Sequence, residues 1–303
     1  MLHMVAKLHY VEDMAQVDIA RRLKLSTATV SRMLQKARAL GIVKIEVMDL
    51  VAPNEVAEEL AELLGLKAAA VAETVSIGMV GALAEPLAEV LKEAGLANGS
   101  VIGIGWGRAI REVISAGLPR LGAVTVVPLN GGLQQPAAHF QINEFVRQAA
   151  EQMGGEPHFL HAPYLSSTEL RAAFLADSGV NDTVSLWDRL DCAIVGVGLP
   201  HPHNPPEASA ATASEKALTE AAGDVLRHYF DRDGKPVHWE GEERMIAASR
   251  EQLAGARLSI AVAASPEKAS GLIGAVRSGI VNAVVTDTAT AQAIISMLLP
   301  ARR

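Results

Sequence analysis

Near the N-terminus apolar positions recur at helical spacing in three short blocks: Val5, Leu8 and Tyr10; then Val17, Ile19, Ala20 and Leu23; then Val30, Met33, Leu34 and Ala37. Only KLS separates the second block from the third, and so short a joint forces neighbouring helices to cross steeply, which predicts a helix-turn-helix. At about 100° per residue the third helix turns Val30, Met33, Leu34 and Ala37 inward and leaves Ala28, Arg32 and Gln35 outward, flanked by Thr29, Ser31 and Lys36. After Gly41 the run IVKIEVMDLV alternates apolar and polar residues, which predicts a strand leading into a linker near Asp49 to Asn54. Pro53 then suits the first turn of a new helix over NEVAEELAELLG.

From Leu66 the pattern changes. Short runs with apolar residues on both faces (KAAAVAE, SVIGIG, AVTVVPL, CAIVGVG, LSIAVA, NAVVTD) alternate with helical stretches, among them Gly78 to Ala94, a helix from Arg108, and Gln141 to Met153. Strands without a polar face belong inside a parallel sheet covered by helices, so the fold class is α/β, doubly wound, behind a small helical head. The expected domains are a helical head over 1–50 and the α/β body over 51–303. Ligands of such sheets sit beyond the carboxyl ends of the strands.

Composition adds limits. With 303 residues, 50% hydrophobic and 20% charged, the chain is globular and long enough for two domains. No apolar run reaches the roughly 18 residues of a membrane span, and the N-terminus lacks the order of a signal peptide, so a cytoplasmic protein is expected. Cys192, the single cysteine, lies in an apolar run and reads as an inert core thiol. The net charge of −7 argues against nucleic acid until the chain is divided. Residues 1–48 carry eight Lys or Arg against four acids, so a basic head sits on an acidic body.

That head suits double-stranded DNA. Ser26 can cap the third helix, and small residues in its first turn, Thr27 to Thr29, allow close approach to a groove. Arg32 suits guanine and Gln35 adenine, each bidentate pair worth roughly 1–3 kcal/mol of discrimination. Arg21, Arg22, Lys36 and Arg38 suit phosphates, and Gln16 and Ser31 complete the candidate face. The competing reading is a solvated helical hairpin with ordinary surface charges.

In the body, GIGWGRAI places Gly103, Gly105 and Gly107 directly before a helix, where free amides and the helix dipole favour an anion. A dinucleotide site would need an acid at the end of the next strand, but that strand ends PLNGG with Asn130 in its place, which favours a sugar phosphate over NAD. Glycines kept only for tight packing are the alternative. Gly196 and Gly198 follow another core strand, Asp231 and Asp233 surround a turn in YFDRDGKP, and Lys268 falls in the first turns of a helix, where a cation opposes the dipole unless an anion is near. Asp233 reads as a turn residue and Asp287 as a helix cap. His201 and His203 in HPHNPP are spaced as zinc ligands, yet no cysteine or carboxylate lies close in sequence, so no metal is expected.

Taken in order, QVDIARRLKLSTATVSRMLQKARALGIVKIEV, VIGIGWGRAI, VVPLNGGL, YFDRDG and AVAASPEKASGLIGAVRSGIVNAVVTD resemble the SorC family of sugar-responsive bacterial transcriptional regulators. The resemblance implies an effector domain related to sugar-phosphate isomerases, a phosphorylated sugar as effector, operator DNA as partner, a homodimer or homotetramer, and no cofactor. It carries the phosphate loop onto Gly103, Gly105, Trp106, Gly107 and Arg108, a glycine pair onto Gly131 and Gly132, an aspartate onto Asp231 and a lysine onto Lys268. Three positions depart from the family: Ala109 stands for a threonine, Ala264 and Ser265 for a glycine pair, and Ala15 for a capping hydroxyl. Two rivals remain at this point, an isomerase using Asp231 and Lys268, and a DNA-binding regulator with a degenerate pocket.

Overall fold

The apolar blocks of the head close on one another. The computed structural model describes residues 1–12, 14–43, 53–73, 80–133, 141–200 and 211–299. The chain divides into two compact units, Met1–Val51 and Ala52–Arg303. In the first, α1 (Leu2–Tyr10), α2 (Gln16–Leu23) and α3 (Thr27–Ala39) enclose Val5, Leu8, Ile19, Ala20, Val30 and Leu34. Two members of the apolar pattern lie outside this core: Tyr10 is 41% and Val17 55% exposed, and α1 buries Ala6 instead. A core this small is filled by one inward stripe per helix. The joint between α2 and α3 turns through Lys24, left-handed at φ 55°, and Leu25 N–H closes on Ala20 O at 2.9 Å. The alternating run after Gly41 lies almost wholly outside the described residues.

In the second unit the elements follow as α4 (Pro53–Leu64), β1 (Ala68–Ala72), α5 (Ala84–Glu93), β2 (Val101–Ile104), α6 (Arg108–Ala116), β3 (Thr125–Pro128), α7 (Ile142–Met153) and β4 (Glu156–Pro157). Then come α8 (Thr168–Ala176), α9 (Ser178–Val184), β5 (Cys192–Gly196), α10 (Ala213–Lys216), β6 (Gly223–Val225), β7 (His228–Phe230), β8 (Pro236–Val237), α11 (Arg250–Gly255), β9 (Leu258–Val262), α12 (Ala269–Arg277), β10 (Ala283–Asp287) and α13 (Thr288–Leu298). The helix expected from Gly78 is described from Val80, where a 3-10 turn precedes α5.

Seven strands form one parallel sheet in the order β1-β10-β9-β5-β2-β3-β4. Its interior is aliphatic: Ile102, Val126, Val127, Ala193, Val195, Ile260, Val262, Val284 and Val285 are fully buried, each larger side chain contributing about 1.5–3 kcal/mol. The chain reverses its sense of winding between neighbouring β2 and β5. From β2 it continues outward to β3 and β4, and from β5 it goes the other way to β9 and β10. The loops after these two strands therefore splay apart and leave a crevice at the switch point.

A second, antiparallel sheet, β6-β7-β8, was not foreseen from the apolar pattern, because its strands are only two or three residues long. It packs on α12 and ties to the strand-end loops through paired backbone bonds between Gly198 and Asp224. Among the described residues no helix is long and apolar enough to cross a membrane.

Candidate functional site

On α3 the predicted face is open to solvent. Thr27, Ala28, Ser31, Arg32, Gln35, Lys36 and Arg38 are exposed, and Thr29 is half-buried. Ser26 caps the helix, its Oγ accepting from Thr29 N–H at 3.1 Å and lying 2.8 Å from Thr29 Oγ1. Gln16 is half-buried in the first turn of α2. Arg21 is exposed and pairs with Asp18 at 3.0 Å. Arg32 Nε donates to Ala28 O at 3.3 Å, which is within its own helix and leaves the guanidinium facing solvent.

The glycine loop of the body sits at the switch point. Gly105 N–H donates to Ile194 O at 2.9 Å, joining the end of β2 to β5. Gly107 caps α6 at φ 128°, a conformation that a side chain rarely adopts, with open space where a Cβ would stand. α6 has neither a side-chain cap nor an acidic residue in its first turn, so its leading amides and exposed Arg108 face the crevice side unneutralised. Gly103 lies deeper: its Cβ position is occupied by Leu129 and Leu190, so the absent side chain serves packing. Trp106 is 7% exposed, 4.7 Å from Tyr164 between ring centroids, with the Arg227 guanidinium 5.9 Å over its ring.

From β3 the chain passes through Asn130, fully buried, whose Nδ2 donates to Gly131 O at 2.9 Å while Oδ1 has no hydrogen-bond partner among the described residues. A Cβ on Gly131 would collide with the Pro163 carbonyl, so glycine is needed for that close approach, whereas Gly132 is open. After β5, Gly196 has ordinary room, and Gly198 lies directly under the Asp224 carboxylate. The 3-10 turn Pro266–Lys268 after β9 brings Lys268 in from the other side, its Nζ donating to Val197 O at 2.9 Å. Burial pulls the Lys268 ammonium down to about 8, Arg108 adds to the fall, and Asp224 opposes it. Among the described residues neither Lys268 nor Arg108 forms an ion pair.

Asp231 does not join this group. Its Oδ1 accepts from Asp233 and Lys235 N–H, both at 2.9 Å, which makes it the organiser of the β7–β8 turn. The carboxylate that does reach the crevice is Asp224, seven residues earlier by sequence number, because the β6–β7 hairpin folds its tip toward Gly198. Asp287 caps α13 through Thr290 N–H at 2.9 Å, as its sequence context suggested. Asp224 and Arg227 escaped the sequence reading. For Arg227 the available signal was in VLRHYF, where Arg227 and His228 interrupt an apolar run and so need buried partners. His201 and His203 lie outside the described residues.

A basic three-helix head and, in the same chain, a parallel sheet whose strand-end glycine loops suit an anion are the parts expected of a transcriptional regulator with a ligand-binding domain. The family described as "Putative sugar-binding domain" matches residues 49–296, and the chain belongs to it. The sorbitol operon regulator of Klebsiella pneumoniae is 30% identical, the match covering 96% of each chain. The erythritol catabolism regulatory protein EryD of Brucella abortus is also 30% identical, over 96% of this chain and 94% of its own. The crystal structure of the full-length Klebsiella regulator SorC superposes with a TM-score of 0.75 at 29% identity, covering 97% of both chains. The chain is a transcriptional regulator with a sugar-binding domain, and the isomerase alternative is set aside because these relatives are regulators.

Proposed function

We propose that this regulator binds double-stranded operator DNA through Gln16, Arg21, Ser26, Thr27, Ala28, Thr29, Ser31, Arg32, Gln35, Lys36 and Arg38, and that a phosphorylated sugar at the strand ends sets its affinity. The observation that carries the effector half is the pair of unneutralised cations, Lys268 and Arg108, beside the uncapped start of α6. A recessed ammonium outside any direct ion pair carries a desolvation cost that a phosphate would offset. Gly105, Trp106, Gly107, Arg108 and Lys268 hold the phosphate end in this reading. Asn130, Gly131, Gly132, Gly196, Gly198 and Asp224 line the remainder, where Asp224 suits sugar hydroxyls; Gly103 only supports the loop.

The departures from the family pattern are compatible with a working pocket. Ser265 adopts φ 119°, the backbone that a glycine there would take, so the loop keeps its course despite the added side chain. Ala109 is buried, 9% exposed. In this reading the chain acts in the cytoplasm as a homodimer or homotetramer, with two copies of α3 about one duplex turn or a multiple apart, and without cofactor.

A thermal-shift series with ribose 5-phosphate, glucose 6-phosphate, sorbitol 6-phosphate and the parent sugars tests it. Only phosphorylated compounds are expected to raise the melting temperature, and Lys268→Ala is expected to lose about 10-fold or more in affinity for the best of them. Equal shifts from the unphosphorylated sugars, or no change in operator retention with any of them, would overturn the reading.

A further inference from the structure

A polar cluster behind the crevice has no part in that function. His228, the first residue of β7, is 6% exposed and has both ring nitrogens engaged. Nδ1 lies 3.2 Å from Glu242 Oε1 and Nε2 lies 2.9 Å from Ala248 O. A backbone carbonyl can only accept. The Glu242 carboxyl is pushed up by burial, but His228, His238 and Arg250 outweigh that and hold it down at about 2, so it too only accepts. Two acceptors facing one imidazole require two N–H groups, and the ring that satisfies both is the imidazolium.

The groups around it fit a positive ring. Glu242, from the 3-10 turn Glu242–Arg244, receives His238 Nδ1 at 2.8 Å and Arg250 Nη2 at 3.0 Å as well. Arg250 of α11 also donates to Tyr229 O at 2.8 Å. Glu251 of the same helix is held low chiefly by its own backbone N–H and the Ser249 hydroxyl, and on the hairpin itself Arg227 is neutralised by Glu215 at 2.7 Å, with Asp224 accepting from Arg227 N–H.

The two bonds of His228 join different parts of the site. The ring belongs to the hairpin that presents Asp224 and Arg227. Ala248 belongs to the run that pairs with the loop after β3: Gly131 N–H donates to Ile246 O, and Ala248 N–H to Leu129 O, each at 2.8 Å. We propose that His228 is a positioning residue which, as a doubly donating imidazolium, ties the β6–β7 hairpin to the Asn130–Gly131 loop, so that the crevice is braced when His228 is protonated and loosens as pH rises. A neutral imidazole has one donor and must leave either Glu242 or Ala248 O unsatisfied. The consequence for ligand rests on the effector reading above, whereas the bracing itself does not.

The first measurement uses the full chain without ligand. Histidine-labelled protein is followed by nitrogen NMR between about pH 5 and about pH 9, a window that brackets imidazole chemistry, and hydrogen exchange is read on peptides covering 129–132 and 245–249. The expected result is two protonated ring nitrogens on His228 at the acid end, and protection of both peptides that steps down, after correction for intrinsic exchange, as the ring loses a proton. In His228→Gln and Glu242→Gln the step is expected to vanish. A neutral His228 throughout, or protection that ignores its titration, overturns the proposal.

The second measurement titrates ribose 5-phosphate and glucose 6-phosphate into wild type and His228→Gln at both pH extremes. The wild-type affinity is expected to fall about 10-fold more than the variant's, a comparison that cancels the ionisation of the phosphate ester itself. If neither probe binds although the ligand-free step is present, the effector reading fails and the bracing stands. If both proteins bind with the same pH response, the coupling to ligand fails and the effector reading stands.

Discussion

Lys268 carries a pH signature that its neighbours decide. Its folded value of about 8 lies below the 10.5 of the free group, so the folded chain sheds this proton first. Between those two values the unfolded state binds more protons, and the lysine makes stability rise with pH; below about 8 its full desolvation cost is present. An anion seated beside the ammonium would favour the charged form. Binding of a sugar phosphate near pH 8 should therefore take up a proton, seen as a buffer-dependent heat in calorimetry, and Lys268→Met should abolish that uptake. Ser265 gives a second residue-scale prediction. A serine at φ 119° stores strain of about 1–3 kcal/mol, so Ser265→Gly should raise the denaturation midpoint by the equivalent of about 1 kcal/mol after glycine's own entropy cost.

At the scale of elements, the β6–β7 hairpin is the least expected and most informative piece. Its two-residue tip, Leu226 at φ 51° and Arg227 at φ 67°, has the left-handed pair of a type I′ turn without the usual Asn or Gly. What holds it is burial: Arg227 donates to Glu215 at 2.7 Å, Tyr229 OH donates to the same oxygen at 2.9 Å, and Trp239 Nε1 donates to Arg227 O at 3.1 Å. Arg227→Met should cost about 3–5 kcal/mol by leaving Glu215 buried and unpaired, and adding Glu215→Gln should recover much of it, which a double-mutant cycle in urea would measure. In the head, α3 has its cap in Ser26 while α2 begins at Ala15 without one. Ala15→Ser should stabilise by about 0.5–1 kcal/mol and Ser26→Ala should cost about as much, both read by thermal unfolding. The caps were legible in sequence because they depend on neighbours three residues away. The hairpin was not, because strands this short leave no periodicity, and Asp224 reaches the crevice only through pairing with Gly198.

Over the whole molecule the two tasks are separated by charge. Arg21, Arg22, Arg32, Lys36 and Arg38 of the basic head lie exposed on α2 and α3, while the acidic excess belongs to the body. A phosphate-contacting residue such as Lys36 should, when changed to alanine, reduce the salt dependence of operator binding by about one unit of slope. Arg32→Ala should weaken specific operator binding and leave sugar-phosphate binding unchanged in the thermal-shift assay; equal loss of both would contradict separate sites. Gly105, Gly107 and Lys268, carried over from the family resemblance, and Gly198, read from the strand pattern, all follow core strands. Asp231, also carried over, has its Oδ1 engaged by the backbone of its own turn.

By itself the sequence determined the helical head, the parallel sheet and the loops that end its strands. Those features follow from local periodicity and from runs of aliphatic residues too apolar to meet water on either face. Only the tertiary structure decided which carboxylate meets the Gly198 loop, which glycine serves packing rather than approach, and which acceptors face the two ring nitrogens of His228. Each of these depends on groups brought together from distant parts of the chain, where burial sets the cost of every unpaired charge and donor.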